Sequence, residues 1–168
     1  MGLLDLLLGR NTINIGPVPS IMPDIAKNAL LRGSAPNLNV KNVFLAKNES
    51  CCYYERAVLL FEKQHKQYVR NGGSYSVPGL FRGNRISYNR GRTDVRETTE
   101  QEAIKGHLYI TNQRIIFAGP KEGFSKKLSE IIAAEYYENA IEIQFKNKTQ
   151  RIYLPDGNVI ANALSLVK

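Results

Sequence analysis

Gly106-His107-Leu108-Tyr109-Ile110-Thr111-Asn112-Gln113-Arg114-Ile115-Ile116-Phe117-Ala118-Gly119 is the stretch that decides how the chain is read. Its two apolar runs, 108–110 and 115–117, flank Thr111-Asn112, and a polar pair between β-branched and aromatic residues marks a hairpin. Towards the C-terminus, 124–128 reads as a short strand, and 131–137 is apolar enough for a strand or a helix. Residues 140–145 set Ile141, Ile143 and Phe145 against Glu142 and Gln144, the period of a strand with one wet face. Residues 150–154 pair with it across Asn147-Lys148, and Asp156 is placed as the N-cap of a last helix over 157–167. Towards the N-terminus, 52–63 is rich in Tyr, Val, Leu and Phe, 65–70 continues it, and Asn71-Gly72-Gly73-Ser74 makes a turn. Residues 85–96 form a polar stretch of one or two strands broken near Gly91. Many short strands closed by one amphipathic helix predict a mainly β (α+β) fold, a small barrel or sandwich with that helix as its plug.

Residues 1–48 read differently. A short apolar start is followed by Asn/Pro/Gly-rich text and one helical candidate over 23–32, with Pro23 in its first turn, Asp24 at the positive end of its dipole and Gly33 just past its end. Ile25, Ala26, Ala29 and Leu30 share one of its faces. The expected organisation is an N-terminal arm, 1–48, and a β domain, 49–168. Such an arm is too short to fold alone, so its apolar face is expected to cover the β domain, a second copy of the chain or a membrane.

The 43% of apolar residues supports a real core. The start of the chain lacks a basic leader, Asp5 interrupts its apolar run, and Leu6 stands where a myristoylation pattern needs Ser or Thr. Nothing approaches the ~20 apolar residues of a membrane span. The two cysteines, Cys51 and Cys52, are adjacent. Neighbours on a strand point to opposite faces, so a bond between them is strained, and two free thiols imply a reducing, cytoplasmic compartment. Alternation predicts one of the two in the core.

The line 106–117 followed by Gly119 resembles the signature hairpin of GRAM and bacterial pleckstrin-homology-like domains. Leu128-Ser129-Glu130-Ile131-Ile132 resembles the strand that follows it, 140–154 the last strand pair, and 159–167 the closing helix. The resemblance spans roughly residues 51–168 and leaves the arm out. It implies a partly open seven-stranded barrel capped by a C-terminal helix, a non-catalytic module of a small bacterial protein, and a partner that is a lipid, a peptide or a protein. Thr111 and Asn112 are expected in the turn, Arg114 paired or stacked on the wall, and Ile110, Ile116 and Phe117 packed.

No nucleotide-binding loop, nucleophile elbow or metalloprotease helix occurs, and His65 and His107 have no zinc-ligand spacing, so neither an enzyme nor a cofactor is expected. Charge is more informative. The net charge is +8, and residues 63–96 hold Lys63, Lys66, Arg70, Arg82, Arg85, Arg90, Arg92 and Arg96 against Asp94 alone. Such a field attracts an anionic membrane surface, an acidic protein or nucleic acid, the last less favoured by the resemblance. Lys63, Lys66 and Arg70, before the 71–74 turn, lie where pleckstrin-homology-like domains take inositol phosphates, although the family's spaced Lys-x-Arg pattern is not met. Arg90 and Arg92 are the secondary candidates, since Arg grips phosphate bidentately. The alternative is a solvated strand surface that resists aggregation. A protein partner, peripheral contact with a membrane, nucleic-acid binding through 63–96, and homo-oligomerisation or assembly through the arm all stand as readings of these residues.

Overall fold

The structure, a computed structural model, describes residues 15–72, 74–78, 85–89 and 92–168. Helix α1 (Asp24–Leu31) is followed by strands β1 (Cys51–Asn71), β2 (Ser74–Pro78), β3 (Arg85–Asn89), β4 (Arg92–Thr111), β5 (Arg114–Ala118) and β6 (Gly123–Lys127). A 3-10 turn (Leu128–Glu130) leads into β7 (Ile131–Tyr136), β8 (Ala140–Phe145), β9 (Lys148–Tyr153) and helix α2 (Gly157–Val167). The chain forms two compact units. One is the chain up to Phe61 together with Gln101–Lys168; the other is Glu62–Glu100, in which β2 and β3 pair from Ser74↔Asn89 to Pro78↔Arg85.

Seven strands make one antiparallel sheet in the order β6-β5-β4-β1-β9-β8-β7. The first strand thus pairs with the last, through Val58↔Tyr153, Leu59↔Ile152 and Leu60↔Arg151. The sheet stays open, with β6 and β7 as its edges. It is nevertheless strongly rolled. Phe124 of β6 and Phe145 of β8 stand five strand positions apart, about 24 Å on a flat sheet at about 4.8 Å per strand, yet their ring centroids are 5.9 Å apart. One face of the sheet therefore wraps a single core. Ile104, Leu108 and Ile110 of β4, Ile115 and Phe117 of β5, Ile141 and Ile143 of β8 and Ile152 of β9 meet there. Period-two alternation puts each strand's set on the same side. Residues 131–136, left between helix and strand by their composition, are a strand because pairing with β8 buries Ile131.

Helix α2 fills the core with Val159, Ile160, Ala163 and Leu164, and the Asp156 carboxylate caps it by accepting from the Asn158 N–H at 2.8 Å. Helix α1 lies against α2 and, with Met22 just before it, adds Ala26 and Leu30 to the same core. The buried face of α1 is thus the i, i+4 pair Ala26 and Leu30, with Met22 packing just before the helix. Ile25, expected on that face, is 86% exposed, because one thin helix offers only a narrow stripe to the core. The chain leaves α1 through Gly33 at φ 79°, a left-handed C′ residue. Buried Glu55 anchors the approach to α1: it accepts from the Ser20 hydroxyl and from the N–H groups of Ile21 (2.8 Å) and Met22 (3.2 Å).

A second, smaller apolar cluster lies outside the sheet, where Val40, Val43 and Leu45 cover Cys51, Tyr54, Tyr109 and Ile116. Both cysteines are therefore buried, where alternation predicts one, and burial pushes each thiol up to about 11. The Cys51 and Cys52 thiols are correspondingly poor nucleophiles. Among the described residues no helix is long and apolar enough to cross a membrane.

Candidate functional site

The hairpin that decides the fold is built as an internal clamp. Thr111 is fully buried, and its hydroxyl accepts from the Arg114 N–H at 2.9 Å and donates to Glu49 Oε1 at 2.8 Å. Arg114 sets its fork on the same carboxylate, Nε to Oε1 at 2.8 Å and Nη2 to Oε2 at 3.1 Å, and Nη2 also donates to the Phe44 carbonyl at 2.7 Å. The Glu49 side chain is only 1% exposed. Burial raises its pKa. The hydrogen bonds from Arg114, the Ala46 N–H and Thr111, with the Arg114 charge, outweigh that and hold it below the ordinary carboxylate value. Asn112 completes the join by exchanging bonds with the main chain: its N–H goes to the Ser50 carbonyl at 3.1 Å, its Oδ1 accepts from the Ser50 N–H at 3.0 Å, and its Nδ2 donates to the Asn48 carbonyl at 3.1 Å. The clamp thus fastens the 44–50 loop to the β4–β5 turn and holds the outer apolar cluster in place. All three guanidinium nitrogens of Arg114 bond within the protein, to Glu49, the Phe44 carbonyl and the Ser125 hydroxyl, so Arg114 is a structural residue.

Gly106 opens the same motif because β5 passes too close for a side chain. A Cβ there stands 2.4 Å from the Ala118 carbonyl oxygen, a backbone atom that cannot swing away. His107 is a strand residue stacked on Tyr54, with centroids 5.8 Å apart, and Tyr54 stacks in turn on Tyr109 at 5.1 Å.

The sequence-derived anion candidates fall in the unit Glu62–Glu100. Lys63 and Lys66 are exposed on β1; three residues separate them, so strand alternation turns them to opposite faces. Arg70 lies in the last turn-ward part of β1 and Arg92 begins β4. Arg90 lies outside the described residues.

Sequence reasoning missed the clefts, because they arise where strands distant in sequence meet. One, of about 790 Å³, runs beside the 15–19 segment over Arg56, Val58, Lys105 and His107. A second, of about 560 Å³, opens between β6 and the β8–β9 hairpin and brings together Phe124, Phe145, Lys146, Lys148 and Gln150. The signal for the second was present in β9. On the face that buries Ile152, the alternating positions Gln150 and Lys148 are polar where a closed core needs apolar side chains. Among the described residues no three His, Cys, Asp or Glu side chains gather as a metal site. Comparison with family models, with curated proteins and with solved structures finds no match.

Proposed function

We propose that the chain is a non-catalytic binding module of pleckstrin-homology-like type that docks on an anionic membrane surface through the basic stretch 63–96. One observation carries the reading: the stretch 63–96, with eight Lys and Arg against Asp94 alone, forms most of a compact unit, Glu62–Glu100, which is made of the far part of β1, the β2–β3 hairpin and the first part of β4. In the family that the sequence resembles, the early strands and the loop between them take anionic headgroups. The open seven-stranded sheet, the pairing of its first strand with its last, and the helix in its core support the same family type. Neighbouring cations of this number gain roughly 1 kcal/mol each near an anionic bilayer, which is enough for peripheral attachment without an anchor.

Sedimentation of the full chain with vesicles of phosphatidylcholine, with and without phosphatidylserine, tests the proposal. Selective binding to the anionic vesicles is expected, weakening as salt rises, and lost in the triple variant Lys63→Ala, Lys66→Ala, Arg70→Ala. Equal recovery on neutral vesicles sinks it.

A protein partner is the second reading, favoured by edge strand β7 and the turn after it, where Ile132 is 60%, Tyr136 44% and Tyr137 47% exposed. An unpaired edge with large apolar side chains is a template for an added strand.

A further inference from the structure

The second cleft differs from an ordinary surface depression in the state of one side chain. Gln150 is 7% exposed, and its Oε1 is buried with no hydrogen-bond partner. Buried acceptors are nearly always paired, because an unpaired one forfeits its hydration without return. The Gln150 residue lines a cleft of about 560 Å³, inside the roughly 300–1,000 Å³ range of small-molecule sites. The rest of the lining divides in two. Phe124, Phe145 and Ile132 supply apolar surface, with the two phenyl rings already in edge-to-face contact. Lys126, Lys146 and Lys148 supply three ammonium groups. Against them stands one carboxylate, Glu130, which bonds Lys126 at 3.2 Å and the Lys127 N–H at 3.1 Å. Lys148 sits over the Phe61 ring, 4.5 Å from its centroid, which fixes its ammonium group.

The strand register explains why these groups meet. Phe145 pairs with Lys148 across the two-residue turn Lys146-Asn147, and Ile143 pairs with Gln150. One hairpin therefore delivers an apolar ring, two cations and the buried amide to one place, and the open edge β6 brings Phe124 and Lys126 opposite.

We propose that this cleft binds a small amphipathic anion that also carries a hydroxyl or amide hydrogen, such as a medium-chain hydroxy acid. The chain lies on Phe124, Phe145 and Ile132. The anionic end sits among the lysines, and the Gln150 amide, turned towards the cleft, accepts from the hydroxyl through Oε1. The site uses no residue of 62–100, so it stands whether or not the membrane reading does.

The test is titration of the full chain with 3-hydroxydecanoate, decanoate and decyltrimethylammonium, read by calorimetry and by NMR shifts at positions 124, 145 and 150. The hydroxy acid is expected to bind about fivefold more tightly than decanoate, the value of one added neutral hydrogen bond. The cation is expected not to bind. In Gln150→Leu the hydroxyl preference falls to about one while decanoate still binds. The double variant Lys146→Glu, Lys148→Glu weakens both acids about tenfold or more, as loss of charge-assisted contacts requires. Equal binding of the cation overturns the proposal. So does a hydroxyl preference that survives Gln150→Leu, or the absence of shifts at those three positions with millimolar acid. Should Gln150→Leu fail to fold, the lysine variant and the cation still decide.

Discussion

Two hairpins of the same sheet use cations in opposite ways. In β4–β5 the turn region carries Thr111, Asn112 and Arg114, and every polar group is answered from inside: Arg114 by Glu49, Thr111 by Glu49 and the turn, Asn112 by the 48–50 backbone. In β8–β9 the turn carries Lys146 and Asn147, Lys148 begins β9, and the amide oxygen of Gln150 has no partner. The difference teaches that a charged turn is not a site by composition. What separates a staple from a binding rim is whether the protein supplies the counter-group. Glu49, 65 residues from Arg114, does so for the first hairpin; the second hairpin meets a cleft instead.

Breaking the staple should have the largest effect. Arg114→Ala leaves the Glu49 carboxylate buried without its cation, so unfolding in urea should show a loss of about 3 kcal/mol. A Glu49→Gln, Arg114→Ala double variant should recover part of that loss, which a double-mutant cycle reads directly. Gly106→Ala drives a methyl group against the Ala118 carbonyl oxygen and should cost about 2 kcal/mol by forcing β4 and β5 apart; an unchanged denaturation midpoint contradicts this close approach.

The staple also predicts a pH response that the rim does not. The Glu49 carboxyl is held below its ordinary value of 4.5 in the folded chain, so its contribution is present above that value and is lost as pH falls through the lower folded one. Thermal midpoints measured between pH 6 and pH 3 should fall, and Arg114→Ala should flatten the curve. Smallest of all are the effects at the rim. Lys146→Ala and Lys148→Ala should move the thermal midpoint by less than about 2 °C. Gln150→Leu, which removes an unpaired buried acceptor, should leave stability unchanged or raise it slightly. A large loss from any of these three substitutions shows the second hairpin to be a staple as well.

Much of the sheet was legible because its signals are local. The alternation of Ile141, Ile143 and Phe145, the polar pair Thr111-Asn112 and the capping Asp156 each act within a few residues, and each forms the element expected of it. The ambiguous 131–137 was settled only by pairing with β8, and the exposure of Ile25 only by the narrow contact of α1. The cysteines were half legible: alternation predicts one of the two in the core, and both are buried because Val40, Val43 and Leu45 cover Cys51 on the outer face. Of the anion candidates, Lys63, Lys66, Arg70 and Arg92 were legible as charge, yet charge along a strand does not say which residues converge, and Lys63 and Lys66 diverge.

By itself, the sequence determined the 106–117 hairpin, the strand pair over 140–154, the closing helix and the place where positive charge gathers, because periodicity, capping and composition are properties of neighbouring residues. Only the tertiary structure decided that Glu49 is the partner of Arg114, that both thiols are buried, and that Phe124, Lys126, Phe145, Lys148 and Gln150 share a cleft. The cleft depends on the rolling of the sheet, which brings strands five positions apart into contact, and the other two on the loop before β1 that lies over its outer face; no local pattern encodes either approach.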